Sequence, residues 1–450
     1  MRDEITDALK AHKADYIEIR VEENKTTRLV YRGKRLEEVG RTSSIGGNVR
    51  ALVKGGWGFV SFNDIHNLKE NVDLAIKEAK LTGKEDFTLS PMVPVIDTVK
   101  APGKGQPITL ASKKQLLDEY NDIILSTPEI RTSSIGYSDG QKKITFASSE
   151  GTYIEQNKAD INLRLTAIAS ENGKVQQIGL SIGSPGDFLA MQGLQQQVKQ
   201  IAERAVALLA APQAKGGEYT VVLDPVLAGV FAHEAFGHLS EADHVYENER
   251  LKEIMVLGRK FGDKHLNIVD GAAVPGFRGS YKYDEEGVRA TKTYLIREGV
   301  LESRLHSRET AAKMGEKTTG NARAINYSFP PIVRMTNTYI EPGTLSFQDI
   351  IADIKEGIYA RDWYGGTTSL EMFTFSAAEA YMIRNGKVAE LLRPVVLSGN
   401  VFVTLGNIDA IGNDLEMNQG GGCGKRGQMP LPVSNGSPHI RISRCLVGGS

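Results

Sequence analysis

Cysteine is almost absent from this chain: 450 residues contain two, Cys423 and Cys445. One late pair cannot staple a fold of this size, so either thiol is of interest as a ligand or nucleophile rather than as part of a disulfide framework. An excess of one charge is also lacking. The chain has 54 basic and 55 acidic residues, a net charge of −1, which provides no bulk field for nucleic acid. No apolar run reaches the length of about 18 residues that a membrane helix needs. The opening Met1-Arg2-Asp3-Glu4 puts acids where a signal peptide needs a basic stretch followed by an apolar one. The expectation is a cytoplasmic protein with no nucleic-acid and no membrane partner.

The composition is that of a soluble globular protein, 40% hydrophobic and 24% charged, and this length usually divides into two or three domains. Glycine is plentiful, at 47 residues, but has no three-residue period, so it signals tight turns and not collagen. Residues 14–21 alternate as a strand, and Thr26–Tyr31 reads as its hairpin mate. Further strand material lies at 51–53 and 59–60, followed by a charged helix over 68–79. The segment 81–107, with Pro91, Pro94, Pro102 and Pro107, reads as a long surface connection. A capping box at Ser112 and Gln115 predicts the next helix start. Strands follow near 131–137 and 143–147. Ile161, Leu163, Leu165, Ala167 and Ala169 then share one face, with Asn162, Arg164 and Thr166 on the other. A Gln-rich helix over 191–210 ends at a composition break, Pro212 to Gly217.

These signals predict an α+β protein in which helices pack on an antiparallel sheet over residues 1–210 and a β-rich domain occupies 211–450. The second domain opens with a strand at 219–223 and then Asp224-Pro225, an N-cap acceptor followed by proline at the first helical position. Later strands are expected at 294–297, 334–339, 373–383, 388–392 and 395–405.

The helix begun at Asp224 carries His233-Glu234-Ala235-Phe236-Gly237-His238, an HExxxH pattern one residue longer than the HExxH zinc motif. On a regular α-helix two residues five apart are about 140° apart around the axis, against about 40° for a spacing of four. Joint ligation of one metal therefore requires a π-bulge or helix termination between Ala235 and His238. Neutral imidazoles suit Zn2+, which lowers the pKa of bound water to about 7. Glu234 is placed to accept a proton from that water and pass it to the leaving nitrogen. A third ligand is still needed, with Glu241, Asp243, His244 and the glycine-flanked Cys423 as candidates. The competing structural reading is a half-buried His-Glu pair with an idle thiol. Cys445 and the histidines at 12, 66, 265, 306 and 439 suggest no site. Gly365-Gly366-Thr367-Thr368 reads either as a peptide-binding strand edge or as a surface turn. Asp284-Glu285-Glu286-Gly287 reads either as an acidic turn that orients a chain terminus or as one that bounds a hairpin.

Several stretches together resemble the TldD/PmbA family, on its TldD side. They are His233 to His238, Arg334 to Tyr339 with Pro342-Gly343, Gly357 to Ala360, Phe375 to Tyr381, and Cys423-Gly424-Lys425 with Gly427-Gln428. The resemblance implies a zinc-dependent peptidase hydrolysing flexible or unfolded peptides inside a dimer cavity. It implies that His233, His238 and Cys423 are metal ligands, that Glu234 is the catalytic carboxylate, and that the 1–210 region serves dimerisation and the cavity wall. It also implies a homodimer or a heterodimer with a TldE/PmbA-like subunit. The alternative is a catalytically idle, peptide-binding or partner-stabilising subunit of a two-subunit protease.

Overall fold

The computed structural model describes residues 1–83, 87–101 and 108–449. Its first half is a seven-stranded sheet. Helix α1 (Arg2–Lys10) precedes β1 (Tyr16–Arg32), β2 (Arg35–Val53) and β3 (Gly56–Phe62), and α2 (Leu68–Thr82) follows. After β4 (Ile96–Val99) and α3 (Leu110–Ser126) come β5 (Ile130–Ser148), β6 (Tyr153–Glu171), β7 (Lys174–Ser184) and α4 (Gln195–Ala210). The strand order is β3-β2-β1-β5-β6-β4, with β7 also paired to β6. Alternation explains the packing: Ile17, Ile19 and Val21 point to α1 and α2, and Leu163, Leu165 and Ala167 point to α3 and α4.

The other face of this sheet is polar and also covered. Glu18, Arg20 and Glu22 of β1 are each at most 2% exposed, because the second half of the chain lies on them. Arg50 pairs with Glu18 at 2.7 Å and with Glu286 at 2.9 Å, and Lys158 pairs with Glu285 at 3.1 Å. Arg20 pairs with Glu22. The Asp284-Glu285-Glu286 turn is thus a buried ionic seam between the halves rather than a plain hairpin boundary. Removing one partner of such a pair leaves an uncompensated buried charge.

Several expected boundaries change for local reasons. The segments 14–21 and 26–31 are one strand, β1, because the polar run at 22–25 stays in the ladder and Glu22 finds ionic partners; the hairpin turn falls at Gly33, in the left-handed region at φ 55°. Residues 131–147 likewise form a single strand. Helix α3 is capped by Thr109, whose hydroxyl accepts from the Ser112 amide at 3.0 Å, so the box at Ser112 and Gln115 is displaced by one turn. The 81–107 connection contains β4, paired in parallel with β6; Pro102 and Pro107 lie outside the described residues. The expected strand 395–405 stops at Asn400, whose side chain accepts from the Phe402 and Val403 amides and starts a helix, Val401–Gly406.

In the second half, five strands close into a barrel: Glu356–Ser369, β8 (Gly217–Leu223), Ile440–Gly449, Val395–Asn400 and Met372–Arg384, the last pairing back to the first. Lys387–Leu392 extends it. Gly365 and Gly366 pair with Ser376 and Phe375 inside this barrel, not in a surface turn. A second sheet, including Ile268–Gly271, Asn337–Ile340 and Ser434–Ser437, stands beside it. The helix after β8 is wedged between them. Leu227, Phe231 and Phe236 are buried in the main core, with Phe231 edge-on to Phe373 at 5.4 Å. Each such side chain contributes about 1.5–3 kcal/mol on burial, enough to hold an irregular turn in place.

Candidate metal centre

Helix α5 (Pro225–Phe231) begins as its sequence dictates: Asp224 Oδ1 accepts from the Leu227 amide at 2.9 Å and Pro225 takes the first helical position. It then departs from α geometry. Ala232–Gly237 forms a π-helical turn, and His238–Ser240 a 3-10 turn. The His238 amide donates to the His233 carbonyl, so the two histidines of the HExxxH pattern are the partners of an i→i+5 bond. That bond returns residue 238 to the azimuth of residue 233, which α geometry would not do. Gly237 permits the fit: a Cβ there would lie 2.1 Å from Met335 Sδ.

The imidazoles of His233 and His238 stand with ring centroids 5.3 Å apart and planes at 81°. Cys423 reaches them from a short hairpin in which Gly422–Lys425 pairs with Gln428–Pro432. Its sulfur lies 3.4 Å from His238 Nε2, and one ligand atom from each of the three residues falls within 4.8 Å of the others. A tetrahedral zinc site places such nitrogen and sulfur ligands about 3.3–3.6 Å apart. The donor set therefore fits zinc in type and spacing. His233 is buried, at 3% exposed, and its imidazole bonds the Cys423 side chain.

Glu234, between the histidines in sequence, carries its carboxylate 3.9 Å from His238 Nε2 and is partly open to solvent, at 29%. It borders the donor cluster on the face that water can reach. Glu241, weighed as a third ligand, is placed elsewhere: its Oε2 lies 3.0 Å from His238 Nδ1, on the far side of the ring. A carboxylate there fixes the Nδ1–H tautomer and leaves Nε2 to face Cys423. Asp243 bonds Lys425 Nζ at 2.7 and 2.9 Å, and His244 Nδ1 lies 3.2 Å from the His238 carbonyl. Among the described residues, Cys423 is thus the third donor brought to the histidine pair.

Electrostatics favour ligand-ready protonation at the sulfur. Burial pushes the Cys423 thiol up, but the His233 and His238 imidazoles outweigh it and hold the thiol well below its ordinary value. Burial opposes the charged form of His238, while Glu241 and Cys423 raise its pKa well above the imidazole range. For Glu241 burial is outweighed by Lys425 and His238, which keep it ionised.

Two roles were not legible from spacing. Lys425, two residues from Cys423, is 8% exposed; its ammonium bonds Glu241 at 3.0 Å, Asp243, and the Val333 carbonyl at 2.9 Å. Arg334 is fully buried and donates to the Cys423 carbonyl at 2.8 Å and the Gln428 carbonyl at 3.2 Å, clamping the hairpin that presents the sulfur. Arg334 and Lys425 thus tie the Cys423 hairpin to its neighbours, whereas Thr336 and Thr338 bond Asp270 and Asn337 bonds the Gly271 carbonyl.

Three family models match the chain in order: PmbA/TldA metallopeptidase domain 1 over 17–81, the central domain over 103–209, and the C-terminal domain over 216–449. A metalloprotease of Synechocystis sp. is 48% identical over 441 residues, 97% of this chain and 95% of the relative. A metalloprotease of Methanothermobacter thermautotrophicus is 37% identical over 97% of this chain and 96% of its own. A zinc metalloprotease TldD homolog of Saccharolobus solfataricus is 31% identical over 90% of each. Among solved structures, a Thermotoga maritima protein described as a candidate modulator of a DNA gyrase superposes with a TM-score of 0.81 at 20% identity over the whole of both chains. TldE from Thermococcus kodakarensis gives 0.76 at 19%, again over both whole chains. At those identities the structural matches speak to the fold alone. No helix among the described residues is long and apolar enough to cross a membrane.

Proposed function

The chain belongs to the TldD/PmbA metallopeptidase family, and on that premise we propose that it is a zinc-dependent peptidase acting on flexible or unfolded peptides. The observation that carries this reading is the i→i+5 bond between His233 and His238, which supports the convergence of both imidazoles with the Cys423 sulfur. His233, His238 and Cys423 would hold the ion, which when bound polarises a carbonyl and activates water. Glu234 takes a proton at its carboxylate and delivers it to the departing amine. Glu241 keeps the His238 proton on Nδ1, and the Cys423 hairpin, clamped by Arg334, holds the sulfur in place. The retained His233, His238 and Cys423 donors with Glu234 beside them support this reading over an idle partner subunit.

Residues 211–450 form the catalytic half in this account, and 1–210 supply the dimer contact and cavity wall. The assembly is a homodimer or a heterodimer with a TldE/PmbA-like chain, and a thiol ligand that must stay reduced fits the cytoplasm. The test is Glu234→Gln, assayed with and without such a partner. Zinc content should be unchanged while peptide hydrolysis falls by about 10²–10⁴-fold, the range for a lost general base. Full activity in the zinc-loaded variant would refute the assigned role.

A further inference from the structure

A cavity of about 470 Å³ separates the polar face of the first sheet from the second half of the chain, within the size range of small-ligand sites. Its wall carries seven lysine and arginine side chains against three carboxylates, Asp139, Asp160 and Glu285. Both halves contribute: Lys100, Lys142 and Lys158 come from the first, Arg278, Lys282 and Arg323 from the second. A cleft walled by one sign of charge between low-dielectric surfaces concentrates ions of the other sign.

Pairing does not neutralise this wall. Asp139 is held by Lys113, which lies off the cavity, so the carboxylates that offset lining cations are Asp160, on Arg278 at 2.6 Å, and Glu285, on Lys158 at 3.1 Å. Arg28, Lys142 and Lys282 take their partners, Glu38, Glu22 and Asp97, from beyond the lining. Two cations are left. Lys100 is exposed and Arg323 is buried, and among the described residues neither has a carboxylate within ion-pair distance. Arg323 donates to the Met335 and Pro432 carbonyls, which bear no net charge. It also crowds Lys158: the two lie 5.4 and 4.7 Å from the centroid of the Tyr281 ring. Burial first, and then Arg323 and Arg20, pull the Lys158 ammonium below its usual pKa, against the opposing pull of Glu285. An anion placed between such cations relieves their repulsion. Ala324, Ile325, Pro430 and Leu431 add an apolar strip to the same wall, room for a hydrocarbon body beside a charged end.

We infer that this cavity is a binding site for a small organic dianion, a phosphoryl group or a dicarboxylate on an apolar body, whose charged end meets Lys158, Arg323 and Lys100 and whose body lies on Pro430 and Leu431. Such a ligand would tie the two halves of the chain together. His233, His238 and Cys423 are not in the cavity wall, so the site is independent of the peptidase reading. The probes are phenylphosphonate and phthalate, which carry the two head-group chemistries on the same ring, with benzyl alcohol as the neutral counterpart. Binding is measured on the full chain at pH 8 and fixed ionic strength, by titration calorimetry and by thermal unfolding. At least one dianion should bind about tenfold or more tightly than benzyl alcohol and raise the melting temperature as its concentration rises. Phenylphosphonate alone would identify a phosphoryl ligand, phthalate alone a carboxylate, and both together a site that reads charge; each of these results upholds the site. Lys100→Glu, at an exposed position with no ion pair to lose, should weaken binding by about tenfold or more. Lys264→Glu makes the same charge change at an exposed lysine outside the cavity and should leave binding as it was. Lys158→Gln should act like Lys100→Glu, and Lys100→Glu decides the matter if Lys158→Gln fails to fold. The assignment is overturned if neither dianion outbinds benzyl alcohol, if Lys100→Glu binds like the parent chain, or if Lys100→Glu and Lys264→Glu lose affinity equally.

Discussion

Replacing Lys425 by Met tests whether the support behind His238 is functional or incidental. The ammonium of Lys425 lies 3.0 Å from Glu241 and 2.7 Å from Asp243, and its side chain is 3% exposed against 0% for Glu241. Methionine keeps most of the volume but removes the only cation touching both carboxylates among the described contacts. Breaking a buried pair by deleting one partner costs about 3–5 kcal/mol, and loss of the carboxylate that orients a ligating histidine lowers metal affinity about 10–100-fold. Denaturant unfolding and competition with a chromophoric chelator read these two effects separately. The double variant Lys425→Met with Glu241→Gln should regain a large part of both losses, because an uncharged amide oxygen still accepts from His238 Nδ1 without needing a counter-ion. If Lys425→Met unfolds and binds zinc like the parent chain, the charge on Glu241 is compensated elsewhere and the support argument fails.

Gly237→Ala should destabilise the fold by about 1–3 kcal/mol, the usual cost of forcing an extra methyl into a packed site, since the new methyl meets Met335 Sδ; weaker zinc binding, read by chelator competition, should accompany it, and a neutral result would show that the π turn does not depend on this close approach. Asp224, the cap of the site helix, has its pKa pushed up to about 7 by burial first and then by the Asp362 carboxylate. Between the ordinary carboxylate range at about pH 4 and pH 7 the folded state therefore holds a proton that the unfolded state has lost. Stability must fall as pH rises through that window, by an amount on the order of 4 kcal/mol. Asn caps helices as well as Asp does, so Asp224→Asn should flatten the melting-temperature profile between pH 5 and 8 and exceed the parent at the upper end. Parallel profiles would contradict the shift.

Periodicity made the first half legible where one face was apolar, as at Ile161 to Ala169, and composition marked the break before β8. It failed where polar residues continue a strand: Glu22 to Lys25 read as a turn because the run is held in the ladder by pairing with β2 and β5 and by the ion pair of Glu22 with Lys142, partners that are distant in sequence. The donors themselves were legible. The five-residue spacing demanded a helix irregularity, and the π turn supplies it. Spacing alone left Glu241, Asp243 and His244 as open as Cys423, because a candidate donor 185 residues from His238 is brought there by tertiary folding. For the same reason Lys425 and Arg334 carried no visible role until the hairpin and the helix were brought together.

Peptide hydrolysis at this centre requires two nitrogens and one sulfur to meet at a single ion. Zinc K-edge X-ray absorption on the purified full-length chain measures this directly. The prediction is one tightly held zinc per chain with sulfur at about 2.3 Å and nitrogen at about 2.0–2.1 Å, the sulfur shell vanishing in Cys423→Ser. A zinc shell of nitrogen and oxygen only, unaltered by that substitution, would contradict it.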